Sequence, residues 1–241
     1  MIVRLALAAV MCLSFLATAV ATPARIIILR HGEKATPYKL CDIGRQRAEA
    51  LTTTYLGRGA AKSLFANGET PASILAITLH SLELATPSAL SWGAPVTLYS
   101  ILPDKDVDED EKTELLNRRT QEAARDVMTD PRYAGKTVVM VWEHKHIASK
   151  KLEKTFRGEA VTLRQLLKLD QLDGVPETWP SGTYDYFWIA EYGNQGSNVP
   201  TRFSMMKQEF AEPYDDLPAN GWDQPNGLGP DSDCDLKGSG E

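Results

Sequence analysis

Arg25-Ile26-Ile27-Ile28-Leu29-Arg30-His31-Gly32-Glu33-Lys34 decides how this chain is read. Four consecutive apolar residues, three of them β-branched, predict a strand buried on both faces, as at the centre of a parallel sheet. The run turns polar within one step, at Arg30-His31-Gly32-Glu33. In open α/β sheets ligands bind beyond the carboxyl ends of the strands, so an arginine and a histidine stand where a site is expected. A guanidinium forks onto two phosphate oxygens, and an imidazole nitrogen can attack phosphorus and carry the phosphoryl group. Gly32 removes a side chain and lets the backbone approach a ligand. The alternative is a strand-end Arg and His that only meet solvent.

A second run, Lys136-Thr137-Val138-Val139-Met140-Val141-Trp142, ends in Glu143-His144-Lys145-His146-Ile147. It is again a buried, parallel-type strand followed by histidine. Strand alternation would turn Glu143 away from the face that His144 occupies, unless the strand has already ended. His144 and His146 form a His-x-His pair, but the sequence around them offers no carboxylate-rich partner segment. No metal or cofactor is therefore expected.

Arg30-His31-Gly32-Glu33-Lys34 together with Trp142-Glu143-His144-Lys145 resembles the signature of the histidine phosphatase (phosphoglycerate mutase-like) superfamily, in its exported bacterial form. Trp179-Pro180 followed by Tyr184-Asp185, and the segment from Leu40 to Ala48, resemble the same group. The resemblance spans most of Ala24 to Phe210. It implies a three-layer α/β/α sandwich with a mainly parallel sheet. It also implies hydrolysis of a small phosphorylated substrate through a phosphohistidine on His31. Arg30, Gly32, His80 and His144 would bind the phosphoryl group, and Arg30 and His144 would assist catalysis. His80 stands where bacterial members carry a second clamp arginine. Either His80 serves as a pH-dependent donor, or an arginine reaches in from elsewhere, or activity is reduced, as in a phosphate-binding pseudoenzyme. The general acid is open among Glu143, Asp104, Asp106, Asp108 and Glu109, and Trp179 or Tyr184 are candidates to line the pocket.

The remainder places these motifs. The first 21 residues carry one charge, Arg4, an apolar stretch and Ala19-Val20-Ala21, which reads as a cleaved export signal and directs the chain to a periplasm or the outside. Removing it takes away one arginine and no acid, moving the formal net charge from −6 to −7. Such an acidic chain has no footprint for nucleic acid, and no other stretch approaches a membrane span. Cys41 and Cys234 then remain, as a disulfide or as two thiols. Asp42 is the expected N-cap of a helix in which Arg45 and Arg47 are solvated charges. A strand is expected over 73–79, a short helix from Thr86-Pro87 and a strand over 95–102. A helix is expected from about Glu111 to Met128, helices over 148–156 and 160–172, an aromatic strand from Tyr184 and an edge strand from Thr201. From Ala211 an extended or disordered tail is expected.

Overall fold

The computed structural model describes residues 22–100, 107–193, 197–225, 227–229 and 232–234; the expected signal segment and the candidates Asp104 and Asp106 lie outside them. Eight strands are described: β1 (Arg25–Arg30), β2 (Lys34–Thr36), β3 (Lys39–Leu40), β4 (Ser73–Ala76), β5 (Val96–Leu98), β6 (Thr137–Trp142), β7 (Tyr186–Glu191) and β8 (Arg202–Lys207). The helices are α1 (Asp42–Leu51), α2 (Leu79–Trp92), α3 (Glu109–Thr129), α4 (His144–Ile147), α5 (Lys150–Thr155) and α6 (Leu163–Leu166). The main sheet runs β5-β4-β6-β1-β7-β8. The first four strands in that order are mutually parallel, and β7 and β8 close one edge antiparallel.

The β-branched runs of β1 and β6 are buried along their length, and the period of two divides their side chains between two cores. Ile26, Ile28, Val138 and Met140 face Ala123, Ala124 and Val127 of α3. Ile27, Leu29, Val139 and Val141 face Leu51 of α1 and Leu84, Ala85 and Ala89 of α2. The chain thus forms a three-layer α/β/α sandwich with a mainly parallel central sheet. No described helix is long and apolar enough to cross a membrane.

Several boundaries differ from the sequence reading. β4 stops at Ala76, and Thr78 caps α2 by accepting from the Ser81 amide. His80 therefore lies in the first turn of a helix, not at a strand end. Thr86-Pro87 lies inside that helix, which gives up one backbone bond at the proline. Cys41, not Asp42, is the N-cap position of α1. Of the 95–102 strand, the described residues 95–100 form β5 alone, and the helices expected over 148–156 and 160–172 shorten to α5 and α6. Arg47 is not solvated. It is 1% exposed, and its Nε and Nη2 donate to both oxygens of the equally buried Glu33 at 2.6–3.1 Å.

The tail has no regular element from 211 to 225, yet it is anchored. Pro218 O accepts from Arg47 Nη2. Asn220 N donates to Asp185. The Trp222 ring lies against Trp179, Tyr186 and Trp188. Cys234 forms a disulfide with Cys41, Cα to Cα 5.1 Å.

Candidate active site

Parallel pairing brings the motif residues together. β1 and β6 run in register, with Arg30 opposite Trp142, and the His31 amide donates to Trp142 O at 3.0 Å. The residues that follow, His31 on one strand and Glu143 and His144 on the other, therefore emerge side by side. β4 is the next neighbour of β6, and the turn after it delivers His80. Three adjacent carboxyl ends thus supply one cluster, at the edge where such sheets place their ligands.

Within the cluster the His31 ring centroid lies 4.4 Å from His80, 6.4 Å from His144 and 6.1 Å from Tyr184. His31 Nδ1 lies 2.7 Å from Gly32 O. A carbonyl only accepts, so the ring proton sits on Nδ1, and Nε2 of the neutral ring presents its lone pair. Glu143 Oε2 is 3.2 Å from that Nε2, and Arg30 Nη2 is 3.4 Å from it. Burial pushes the His31 pKa down to about 4, with Glu143 pulling the other way and His80 and Arg30 adding to the fall. The ring is neutral at pH 7 and its lone pair is available.

Glu143 is where the sequence argument from alternation gives way. β6 ends at Trp142, and Glu143 is the residue before α4, so its carboxylate turns between His31 and His80, 2.5 Å from His80 Nε2. Burial alone would raise its pKa; the two rings outweigh that and hold it well below the usual carboxylate range. His80 Nδ1 is 2.9 Å from Pro37 O. His144 is buried, and desolvation, followed by Arg30, holds its pKa well below that of a free imidazole. A neutral His144 at this position can still donate one N–H.

Arg30 is placed differently from a free clamp. Its Nη1 donates to the carbonyls of Pro180, Ser181 and Thr183 at 2.5–3.4 Å, and its Cζ lies 3.9 Å over the Tyr184 ring. Only Nη2 faces His31. Tyr184 thus belongs to the cluster, by stacking on Arg30. Trp179, the other pocket candidate, is fully buried between Trp188 and Trp222 and lines no ligand space.

Gly32 also serves packing. A Cβ there would meet Leu84 Cδ1 at 3.1 Å and Gly44 at 3.3 Å, so the space the missing side chain opens is filled by α1 and α2, not by a ligand. The Gly32 carbonyl contributes by orienting His31. His146 turns away to Asn117 Oδ1 at 3.1 Å. Asp108 caps α3 by accepting from Glu111 N, and Glu109 pairs with Lys112 in the same turn. Both acids are thereby engaged at a helix N-terminus, where negative charge is favourable.

Glu33 and Arg47 are the pair that sequence reasoning missed. Arg47 lies fourteen residues beyond Glu33, and its charge masks its place on the buried face of α1 beside Gly44, Ala48 and Leu51. The available signal was Gly44, whose absent side chain lets α1 approach the Glu33 backbone. A Cβ at Gly44 would fall 2.1 Å from Glu33 O.

No protein-family model matches the chain, and no curated protein matches it. Solved structures do. One is assigned as the phosphohistidine phosphatase SixA of Agrobacterium tumefaciens, at 14% identity and TM-score 0.33 over 76% of this chain and 98% of that one. A mycobacterial glucosyl-3-phosphoglycerate phosphatase matches at 16% identity and TM-score 0.40 over 77% and 98%. Its complex with VO3 matches at 16% and TM-score 0.41 over 77% and 100%. The named enzymes among these are phosphatases. TM-scores below 0.5 leave the reading of this site to its own geometry.

Proposed function

We propose that the protein is a phosphomonoester hydrolase that works through a phosphohistidine on His31 and acts on a small phosphorylated substrate. The observation that carries the reading is the lone pair of His31 Nε2, fixed by the Nδ1 contact to Gly32 O and set between a guanidinium and a carboxylate. Nucleophile, orienting group, cation and acid are thereby within reach of one phosphorus.

In the proposed reaction Nε2 forms a bond to phosphorus as the ester P–O bond breaks. Arg30 Nη2 and a His144 N–H meet the equatorial oxygens, where charge accumulates. Glu143 protonates the leaving alkoxide. The proton it gives is the one it shares with His80 Nε2 at 2.5 Å, drawn onto the carboxylate as a phosphate dianion alongside raises its proton affinity, and the water that attacks in the second step returns a proton to Glu143. Water then attacks the phosphohistidine, releasing phosphate and restoring the Nε2 lone pair. Trp179 and Gly32 act in this scheme as supports.

A leader ending at Ala21 and a Cys41–Cys234 disulfide suit an oxidising compartment. A mutase must keep its phosphoryl group and draw on an intracellular pool, so export favours hydrolysis. A second reading, a phosphate-binding protein without turnover, is favoured by one observation: Arg30 Nη1 is committed to three backbone carbonyls, leaving one terminal nitrogen for substrate.

Turnover of p-nitrophenyl phosphate separates the two. The hydrolase reading expects activity that His31→Ala abolishes, with base-stable, acid-labile phosphate on the protein after rapid quench. It also expects Glu143→Gln to lower kcat by about 10²–10⁴, the usual worth of a positioned acid. Activity surviving in His31→Ala sinks it, and phosphate binding without turnover across a wide pH range supports the binder.

A further inference from the structure

We propose that His31, His80 and Glu143 form a binding site for a divalent transition-metal ion of the zinc type, which caps the same nitrogen that would attack phosphorus. The argument begins with proton positions. His31 Nδ1 faces Gly32 O and His80 Nδ1 faces Pro37 O. Both carbonyls can only accept, so both rings carry a proton on Nδ1 and turn Nε2 inward. Both Nε2 atoms face the Glu143 carboxylate, at 3.2 Å for His31 and 2.5 Å for His80, and the shorter contact holds a proton between His80 and Glu143. Two ring nitrogens and a carboxylate converge, and a metal ion binding there displaces the proton that His80 and Glu143 share.

The donors suit a metal. The three ligand atoms lie within 4.8 Å of one another. Tetrahedral zinc with bonds of 2.0–2.1 Å holds its donors about 3.3 Å apart. The His31–Glu143 separation already has that value, and the His80–Glu143 contact needs to open by about 0.8 Å to reach it. An imidazole whose other nitrogen donates to a backbone carbonyl is the usual outer-shell arrangement of a ligating histidine. Two imidazoles and one carboxylate favour Zn²⁺, Cu²⁺ or Ni²⁺ over Mg²⁺ or Ca²⁺. The Glu143 side chain, 16% exposed, leaves the outer side open for a water or a substrate oxygen. Arg30 opposes a cation through Nη2, but its Nη1 is turned into the carbonyls of residues 180–183.

This set is distinct from the His144-x-His146 pair in the sequence, because His146 is bound to Asn117. The inference does not depend on phosphatase chemistry. If both hold, metal and phosphoryl group compete for His31 Nε2, and zinc inhibits.

The test is calorimetric titration of the full, disulfide-intact protein with Zn²⁺. One equivalent is expected to bind, and His80→Gln and Glu143→Gln are each expected to weaken it by at least about tenfold, the loss seen even for outer-shell partners. The absence of one-to-one binding, or binding that neither substitution moves, overturns the proposal. Should either variant fail to fold, X-ray absorption of the wild-type Co²⁺ or Zn²⁺ form decides. Imidazole and oxygen scatterers without sulfur support the site, and sulfur in the first shell assigns the ion to Cys41 and Cys234 and refutes it. Turnover of chelator-treated protein reports on the phosphatase reading separately.

Discussion

Replacing Arg47 by methionine is the sharpest perturbation of the loop that carries His31. Arg47 makes three contacts to the Glu33 carboxylate and one to Pro218 O, and both side chains are 1% exposed. Burial works against the guanidinium charge, yet the carboxylate beside it outweighs that and raises its pKa. Removing one partner leaves the other as an uncompensated buried charge, a cost of about 3–5 kcal/mol. A protein of this size loses about 2–4 °C in Tm per kcal/mol, so Arg47→Met should lower the midpoint by about 6–20 °C. Circular dichroism melting at neutral pH, with the disulfide intact, measures it. The double variant Glu33→Leu/Arg47→Met removes both charges and should recover most of the loss, since replacing a whole buried pair by apolar residues is often neutral. A single-variant shift below about 2 °C, or a double variant no better than the single, would refute the claim that this pair holds the loop onto α1.

Acid should destabilise the protein in a defined window. His31 and His146 both have folded pKa values near 4, each lowered chiefly by burial, so between about 6.5 and 4 the unfolded chain binds the extra protons. Their contribution is full above about 6.5, falls as pH drops, and is gone below about 4, worth about 3 kcal/mol per histidine; denaturant titrations at pH 7 and 4.5 that give equal unfolding free energies would contradict it. The disulfide closes a loop with a sequence separation of 193, for which chain entropy gives a ceiling of about 5 kcal/mol. Cys41→Ser/Cys234→Ser should lose a substantial part of that in urea unfolding, and an unchanged midpoint would show that the tail is held by Trp222 and Pro218 alone.

The sequence alone determined the central strands and their layer, because a continuous β-branched run has few other places to go. Since each run ended abruptly in polar residues, it also marked Arg30, His31 and His144 as strand-end groups. It did not determine which way Glu143 points, since one residue more or less of strand reverses the side chain. Whether the strand ends at Trp142 was settled by the start of α4. Nor did it show that Arg47 is buried against Glu33, that Gly32 makes room for Leu84 and Gly44, or that Arg30 spends one nitrogen on the 180–183 carbonyls. Each of these depends on a partner far along the chain, and helical or strand periodicity carries no information about which distant backbone approaches. The convergence of His31, His80 and Glu143 has the same origin. Parallel register places three strand ends side by side, and only the tertiary structure fixes the order β4-β6-β1 that makes them neighbours.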